Sequence, residues 1–518
     1  MSAGNRVLVV GAGVGGLCAA THLARAGFDV QVIEKNAHAG GRCGRFERQG
    51  HRFDTGPTLF VLPELYDAEL SALGVRTRDV LDLVRVDPTY RVVFADGTDV
   101  SLTRDLTKMR AQLEALEPGS FEGFLRYLEE GRRHYDGAMR AFMRRDFRSA
   151  RDLLSPSTLK ALGDLKLLVS HYSRAARSFR SPKLRAAFTF QDLYVGLSPL
   201  RASALFSLIP YSEIRHGVWY PRGGMSRVTD ALVQLAREAG VRFRFEAPVK
   251  RIETHAGRAT GVTLRDGHRV PADVVLANAD VPYVFQRLLP PSRAGRRMRK
   301  RRCSYSAITF FWGVGRALDR LDPHMLFVAD DYLRGFDELE HGARLSSNVS
   351  FYLHAPARID PGMAPRGEET LIATVPVGTL GGSAHEDWSS VRDRARRLVL
   401  DRLAAHGLCD LDRSIKFELS FTPRSWQRRY NLARGAAHGL GHELMQLGPL
   451  RPANRHPRFA NVYFAGASTH PGSGIPSAMV SGRLAAERIS EEQASAGSRS
   501  VMARSSVCVS TSMRTRPG

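Results

Sequence analysis

Residues 7–16 read VLVVGAGVGG, and this stretch decides the fold of the chain. Its four leading apolar residues predict a buried parallel strand, and the small residues at 17–26 predict a helix after it. Between them, Gly11, Gly13 and Gly16 form the pattern G-x-G-x-x-G. In such a unit the first glycine makes the turn, the second admits a pyrophosphate, and the third lets the helix pack on the strand.

The residues after this unit supply a second strand and a carboxylate. Residues 30–33 predict the strand, and Glu34 follows it, 23 positions after Gly11 (34 − 11). A carboxylate at this point of a dinucleotide fold is expected to accept hydrogen bonds from the adenosine ribose. Lys35, directly after Glu34, is included in the predicted cofactor site. An acidic residue here argues against a 2′-phosphate, so the chain is predicted to bind a dinucleotide without one.

Two further glycine turns favour FAD over NAD. The first is Gly40-Gly41-Arg42, whose arginine is predicted to contact the diphosphate and ribose region. The second is Gly56-Pro57-Thr58, whose backbone amides are predicted to face the flavin. A simple NAD-dependent dehydrogenase has no need of these turns. The cofactor is therefore predicted to be FAD.

The C-terminal part of the sequence carries a third cofactor segment. Residues 461–476 predict a strand, a loop with Gly466, and a helix that begins at Gly474-Ile475-Pro476. The positive end of that helix would face the flavin pyrimidine, where negative charge collects on reduction. Residues 241–249, ending at Val249, and residues 274–279 predict two more strands, with an Asp266-Gly267 hairpin signal between them.

These segments predict an α/β fold with a discontinuous, Rossmann-like FAD-binding domain. We expect that domain to comprise 1–95, 215–283 and 455–490. An inserted α+β substrate domain, partly helical and facing a membrane, is expected at 96–214 and 284–454. Residues 491–518 are rich in serine and arginine, which is typical of a disordered tail.

The 518 residues carry a formal net charge of +23, which predicts attraction to polyanions. No nucleic-acid-binding motif accompanies the charge, so nucleic acid is not an expected partner. Two explanations of the positive charge stay open. The protein is attracted to an anionic membrane surface, or it has an arginine-rich surface that is simply solvated. Apolar and basic residues alternate over 155–190 as in an interfacial helix pair. Five scattered cysteines and no apolar run of 18 residues predict a cytoplasmic, peripherally membrane-associated protein without a metal site.

Three more motifs complete a resemblance that covers about residues 5–490. They are FQDLYVG at 190–196, GVWYPRGG at 217–224 and AGASTHPG at 465–472. With the glycine motifs they make the chain similar to the bacterial and fungal phytoene desaturase family, which includes the diapophytoene desaturases. The resemblance implies FAD, stepwise removal of hydrogens from phytoene or a related linear carotenoid precursor, and a membrane surface. Quinone or oxygen is the expected electron acceptor.

The sequence nominates two catalytic residues, Asp152 and His470. Asp152 lies in a segment that resembles one near the flavin in the family, but helix capping is an alternative role. His470 precedes Pro471-Gly472, beside the expected cofactor, where a structural hydrogen bond is the alternative to proton transfer. Three other functions use the same fold: an amine oxidase, a carotenoid isomerase, and a non-catalytic lipid-binding flavoprotein. A disulfide reductase is excluded because no paired cysteines follow the glycine motif.

Overall fold

The computed structural model describes residues 5–143, 145–148, 152, 167–381 and 387–511, with side chains as far as residue 495. The predicted interfacial helix pair at 155–190 lies partly outside these ranges, because residues 155–166 are not described. The described remainder contains two short helices, His171–Ala175 and Pro182–Ala187. Leu168, just before them, has 89% of its surface exposed.

The strands within the described ranges form three larger sheets and two separate pairs. In chain order they are β1 (Arg6–Val10), β2 (Asp29–Ile33), β3 (Arg45–Arg48), β4 (His51–Asp54), β5 (Leu83–Val86), β6 (Tyr90–Val93), β7 (Asp99–Leu102), β8 (Val218–Pro221), β9 (Arg242–Arg244), β10 (Val249–His255), β11 (Arg258–Leu264), β12 (Arg269–Pro271), β13 (Val274–Ala277), β14 (Ser306–Val314), β15 (His324–Phe327), β16 (Phe351–His354), β17 (Glu369–Val377), β18 (Ile415–Phe421) and β19 (Val462–Phe464).

The described α-helices alternate with these strands. They are α1 (Val14–Arg25), α2 (Pro63–Ala72), α3 (Thr77–Val80), α4 (Leu106–Leu116), α5 (Ser120–Ala138), α6 (His171–Ala175), α7 (Pro182–Ala187), α8 (Leu208–His216), α9 (Ser226–Glu238), α10 (Val281–Tyr283), α11 (Arg293–Arg299), α12 (Tyr332–Glu340), α13 (Trp388–Ala405), α14 (Leu411–Ser414), α15 (Pro423–Tyr430) and α16 (Ile475–Thr511). Short 3₁₀ and π segments connect several of them, including residues 190–195 and 284–288.

The first sheet is the predicted Rossmann-like sheet. Its strands are all parallel, in the order β19-β13-β1-β2-β9. They come from the three parts of the chain that the sequence assigns to one domain. All four residues of β13 are buried, as expected of a central parallel strand with both faces covered.

The region 241–249 differs from the prediction of one strand. β9 ends at Arg244 and β10 begins at Val249, because Glu246 adopts a φ of +52° and Pro248 has no N–H to donate. The chain therefore leaves the parallel sheet and enters an antiparallel sheet of β10, β11 and β12. The Asp266-Gly267 turn is a hairpin as predicted, but it joins β11 to β12 within this small sheet.

The half of the molecule that contains the parallel sheet is held together by close contacts between helices. On one face of the parallel sheet, α1 packs against α16 and α9. A Cβ built at Gly482 of α16 would lie 2.4 Å from the carbonyl oxygen of Gly15 and 3.0 Å from the amide nitrogen of Ala19. The small residues that the sequence predicts on α16 thus allow the backbones of α1 and α16 to come into close contact.

The second large sheet has seven strands in the order β18-β14-β17-β16-β15-β6-β7. Its pairs are antiparallel except for β15 with β6. All nine residues of β14, the second strand from one edge, are buried. α13 packs into the core on one face through Trp388, Ala395 and Val399, and the segment with α4 and α5 covers β6 and β7. Except for β6, its strands come from the segments that the sequence assigns to an α+β domain.

Two predicted boundaries are corrected. The boundary between residues 95 and 96 separates β6 from β7, although these strands pair in the seven-stranded sheet. The domain change therefore lies before Tyr90. The predicted tail also begins too early, since α16 continues past residue 490 to Thr511. Glu491 and Glu492 fix this part of the helix through ion pairs with Arg148 and Arg455.

Across the described residues, no helix has both the length and the apolar composition that are needed to cross a bilayer.

The contact between α1 and α16 generates a stability prediction. In an unobstructed helix, Gly→Ala gains up to about 1 kcal/mol. For Gly482→Ala we expect the opposite sign, a loss of about 1–3 kcal/mol in the free energy of unfolding measured with urea, because the new methyl group meets backbone atoms. The control is Ser495→Ala, an exposed position on the same helix, which should change the value by less than about 0.5 kcal/mol. Equal effects at both positions would contradict the tight contact.

Candidate functional site

A cavity of about 880 Å³ lies between the parallel sheet and the seven-stranded sheet. Of the fifteen residues predicted to bind FAD, fourteen line it. They are Gly11, Gly13, Glu34, Lys35, Gly41, Arg42, Gly56, Pro57, Thr58, Val249, Gly466, Gly474, Ile475 and Pro476. Three sequence segments far apart in the chain thus meet around one space.

Gly16, the fifteenth residue, serves packing and does not line the cavity. A Cβ at Gly16 would lie 2.4 Å from the carbonyl oxygen of Gly11. This is the close helix-to-strand approach that the third glycine of the motif allows. By contrast, Gly13 precedes α1 and lines the cavity, and no side chain caps this helix end. Its free amides and its positive dipole end are therefore left to an anionic ligand such as a pyrophosphate.

Asn278 lies at the centre of the glycine cluster, and the sequence interpretation missed it. Its Nδ2 donates a hydrogen bond of 3.0 Å to the carbonyl oxygen of Ala465. A Cβ at Gly13 would lie 2.7 Å from Asn278 Oδ1, and one at Gly466 would lie 2.5 Å from Nδ2. The available signal was position: Asn278 directly follows β13, and ligands of open α/β sheets bind at the carboxyl ends of strands.

Glu34 is buried at the end of β2 and is already partly engaged. Its Oε2 accepts the Ala12 amide at 2.9 Å, and its Oε1 accepts the amide and side chain of Asn36 at 2.8 Å each. Oε2 can accept a second hydrogen bond, and Glu34 lines the cavity, which suits a ribose hydroxyl. Lys35 Nζ donates to the carbonyl oxygen of Arg428 at 2.7 Å, and both residues line the cavity.

Arg42 joins the Gly40-Gly41-Arg42 turn to the C-terminal half. Its Nη1 donates to the carbonyl oxygen of Ala437 at 3.0 Å. A Cβ at Gly56 would lie 2.3 Å from the carbonyl oxygen of Arg42, so the two predicted glycine turns pack directly on each other. Burial lowers the pKa of the Arg42 guanidinium, and the nearby carboxylate of Asp280 opposes that shift.

Asp54 connects two of the motifs that carry the family resemblance. It ends β4, and its carboxylate accepts hydrogen bonds from the Tyr220 hydroxyl at 2.9 Å and from the Met225 and Ser226 amides at 2.8 and 3.1 Å. The carboxylate thereby caps α9 and holds the segment 217–224 against the turn at 56–58. Burial raises the pKa of Asp54 to about 6, although these donors oppose the shift.

The loop at 465–472 is held by a buried arginine that the sequence interpretation did not single out. Arg451 donates to the carbonyl oxygens of Ala467 and Thr469 at 2.7 and 3.1 Å, and to Gly441 at 2.9 Å. Burial lowers its pKa to about 9. Asp280, which is also buried and bonded to Ser468 and the Ala433 amide, fixes the same loop from the other side.

Neither predicted catalytic residue lines the cavity. His470 is buried with both ring nitrogens near backbone carbonyl oxygens, Nδ1 at 3.2 Å from Gly448 and Nε2 at 3.0 Å from Phe142. Asp152 accepts the Arg148 amide at 2.8 Å. These contacts match the structural alternatives that the sequence left open, so the geometry does not support a catalytic role for either residue.

The two ends of the cavity differ in chemistry. The glycine motifs and charged side chains surround one end, where an uncapped helix, a carboxylate and two glycine turns fit a flavin dinucleotide. At the other end, no described lining residue from segments 190–209 and 305–376 carries a charge. Those residues are Phe190, Leu193, Tyr194, Val195, Gly196, Ile209, Tyr305, Ser306, Ala307, Thr309, Leu326, Ser350, Phe351, Tyr352, Ile372, Thr374 and Pro376. This end suits an uncharged, apolar molecule.

Comparison with known proteins agrees with this division. The family model described as flavin-containing amine oxidoreductase matches residues 14–490. A zeta-carotene-forming phytoene desaturase of Myxococcus xanthus is 41% identical over 492 residues, which is 94% of each chain. A phytoene desaturase of Fusarium fujikuroi is 38% identical and covers 93% of this chain and 89% of its own. Among solved structures, an oxidoreductase from Methanosarcina mazei matches with a TM-score of 0.64 at 15% identity, covering 93% of this chain and 100% of its own.

The contacts of Glu34 give a prediction for cofactor binding. Glu34→Gln replaces an acceptor oxygen by an NH₂ group that faces an N–H donor. We expect a loss of about 1.5–3 kcal/mol, or roughly 10- to 150-fold weaker binding of FAD, measured by flavin fluorescence quenching on titration of the apoprotein. Glu47→Gln, at an exposed position on β3, serves as the control and should leave the dissociation constant unchanged. An unchanged dissociation constant in Glu34→Gln would show that Glu34 does not contribute to FAD binding.

Proposed function

The chain belongs to the flavin-containing amine oxidoreductase family, and we propose that it uses FAD to desaturate phytoene or a related linear carotenoid precursor. One observation carries the proposal. The nucleotide-binding turns and a long uncharged wall line the same cavity, so a flavin and an apolar chain would meet inside it. The names of relatives with 41% and 38% identity over nearly the whole chain support the same substrate class.

The uncharged wall also disfavours an amine substrate. A protonated amine placed against Phe190, Leu193 and Ile372 would be a buried charge without a partner, which costs several kcal/mol. A polyene hydrocarbon has no polar group to desolvate when it packs against such a wall. It gains roughly 25 cal/mol for each Å² of apolar surface removed from water. The geometry therefore favours the carotenoid over the amine among the alternatives on this fold.

The chemistry follows from this arrangement. Bound FAD supplies the acceptor for a hydride from an unactivated C–H bond. The chain's own contribution is to hold the polyene straight along the cavity and to exclude water from it. The electrons then pass to an acceptor, for which we propose quinone or oxygen.

We further propose that the protein docks on a membrane, which would deliver the substrate. The segment Arg293–Arg299 with the three residues after it contains seven basic side chains within ten positions. They are Arg293, Arg296, Arg297, Arg299, Lys300, Arg301 and Arg302, and none of them forms an ion pair with a described residue. We call this stretch the basic segment. Unpaired surface charge of one sign is attracted to anionic lipid.

Apolar side chains lie beside the basic segment. Arg301 and Arg302 line a shallow depression together with Leu200 and Met445. Met445 is 70% exposed and Leu200 is 43% exposed. Basic residues next to exposed apolar side chains are typical of a surface that enters the headgroup region of a bilayer. This combination supports the membrane reading of the net charge over a merely solvated surface.

The main test is product formation. We expect the FAD-loaded protein, mixed with phytoene in liposomes under anaerobic conditions, to bleach its flavin absorbance and to release a polyene with more conjugated double bonds. Chromatography and mass spectrometry identify the product. An isomerase would leave the mass unchanged, and a binding protein would leave the substrate unchanged. Either result, obtained with both phytoene and diapophytoene, would refute desaturation.

The basic segment generates a binding prediction. The triple variant Arg296→Gln, Arg297→Gln, Arg299→Gln should lose about 1 kcal/mol per residue in affinity for vesicles that contain phosphatidylserine, measured by cosedimentation. The control removes three exposed charges elsewhere, Arg394→Gln, Arg397→Gln and Arg413→Gln, and should bind as the wild type does. Equal losses in the two variants would show that net charge, and not this segment, drives binding.

A further inference from the structure

A buried carboxylate lies behind the uncharged wall of the cavity. Glu213 is on α8, and only 3% of its surface is exposed. Its Oε1 accepts a hydrogen bond of 2.7 Å from the Tyr194 hydroxyl, and its Oε2 accepts one of 3.1 Å from Gln191 Nε2. No described Lys, Arg or His lies within ion-pair distance of it. Burying an ionised carboxylate without a cationic partner costs free energy, so the position of Glu213 calls for an explanation.

Tyr194 connects this carboxylate to the cavity. The side chain lines the uncharged wall between Leu193 and Val195. Its hydroxyl contacts both Glu213 and the hydroxyl of Tyr90. Tyr194 thus both lines the space that would hold the polyene and is hydrogen-bonded to a proton-accepting oxygen.

The groups that face Glu213 come from several elements and are mostly neutral phenols. Tyr90 approaches from β6, Tyr127 from α5 and Tyr194 from the 3₁₀ segment at 190–195. The Asp192 carboxylate nearby is satisfied by its own partner, His171, at 2.9 Å. On α8 itself, His216 pairs outward with Glu64 at 2.9 Å. With no cation to hold the ionised form, burial raises the pKa of Glu213 to about 7.

Other buried carboxylates near the cavity are already committed. Asp54 accepts three hydrogen bonds, two of which cap α9, and Asp280 is held by Ser468 and the Ala433 amide beside Arg42. Both lie at the nucleotide end. Among the described carboxylates, Glu213 and Glu340 accept hydrogen bonds from tyrosines of the uncharged wall, but Glu340 is paired with Arg201, whereas Glu213 has no cationic partner.

We propose that Tyr194 and Glu213 together accept the proton that leaves the substrate during desaturation. Tyr194 touches the substrate and is the catalytic residue, whereas Glu213 acts through it. This inference rests on the proposed function, because only the loss of a hydride and a proton from neighbouring carbons requires such an acceptor.

The step balances in atoms and charge. One C–H bond gives its hydride, with two electrons, to the bound flavin. The neighbouring C–H bond gives its proton to the Tyr194 oxygen as the Tyr194 O–H proton moves to Glu213 Oε1, and the electron pair left on carbon completes the double bond. Glu213 becomes a neutral carboxyl group. It returns the proton through Tyr194 to water after the product leaves, and a quinone or oxygen takes the two electrons.

The test compares wild type with Glu213→Gln and Tyr194→Phe, all loaded with FAD. Glu117→Gln, a buried carboxylate held by the Ser181 amide away from the cavity, is the control. Anaerobic flavin reduction by phytoene is followed by stopped flow across pH 5.5–8.5. A positioned base contributes roughly 10²- to 10⁴-fold. We expect the wild-type rate to rise with pH through about 7 as Glu213 loses its proton, and both site variants to be at least 100-fold slower, Glu213→Gln without that rise.

A second readout does not depend on turnover. Infrared difference spectra of the substrate-free holoprotein should show a protonated carboxyl band that titrates near pH 7 and is absent only in Glu213→Gln. Wild-type rates and pH dependence in both site variants, or the same band in Glu213→Gln, would overturn the inference. Failure of the wild type itself to be reduced by any linear carotenoid precursor would instead overturn the proposed function.

Discussion

Four glycines close around the strand end at Asn278, and the cofactor half of the molecule depends on this contact. Cβ atoms at Gly11, Gly13, Gly16 and Gly466 would each lie less than 3.0 Å from an atom of this residue. A larger side chain at any of these positions would displace backbone or the Asn278 side chain. The contact brings β1, α1, β13 and the loop after β19 to one point. The free end of α1 can face a pyrophosphate only because that point is so tightly filled.

The second level of organisation is a set of buried polar side chains that tie loops to strands. Asp54 caps α9 and fixes the tyrosine of β8, while Arg451 and Asp280 hold the loop at 465–472 from opposite sides. Each is buried, and each satisfies backbone donors or acceptors that the loops would otherwise leave unpaired. These residues shape the cofactor end without contacting the apolar wall, so the cavity keeps its charged groups at one end and its uncharged surface at the other.

The separation of charged from uncharged lining residues suits the proposed chemistry. A flavin needs donors and charges around its phosphates, whereas a polyene needs none, and one cavity is lined by both kinds of surface. Glu213 is the exception to this separation, because it is a carboxylate that lies behind the uncharged wall. Its link to the cavity through the Tyr194 hydroxyl gives the uncharged end one route for a proton. On the outside, the basic segment at 293–302 concentrates seven of the basic side chains that contribute to the net charge of +23.

The sequence by itself determined the cofactor half, because glycine spacing and strand patterns are local properties that physical constraints tie to fixed positions. Fourteen of the fifteen predicted residues accordingly line the cavity. Local patterns could not show that Glu246 and Pro248 divide a strand, nor that β6 belongs to the second sheet. They also misdirected the choice of catalytic residues, since His470 follows a cofactor motif but turns both ring nitrogens to backbone carbonyls. Only the tertiary structure brings Glu213, Tyr194 and Tyr90 together, because Tyr90 lies 104 positions before Tyr194, and a lone glutamate in a helix gives no sign of burial.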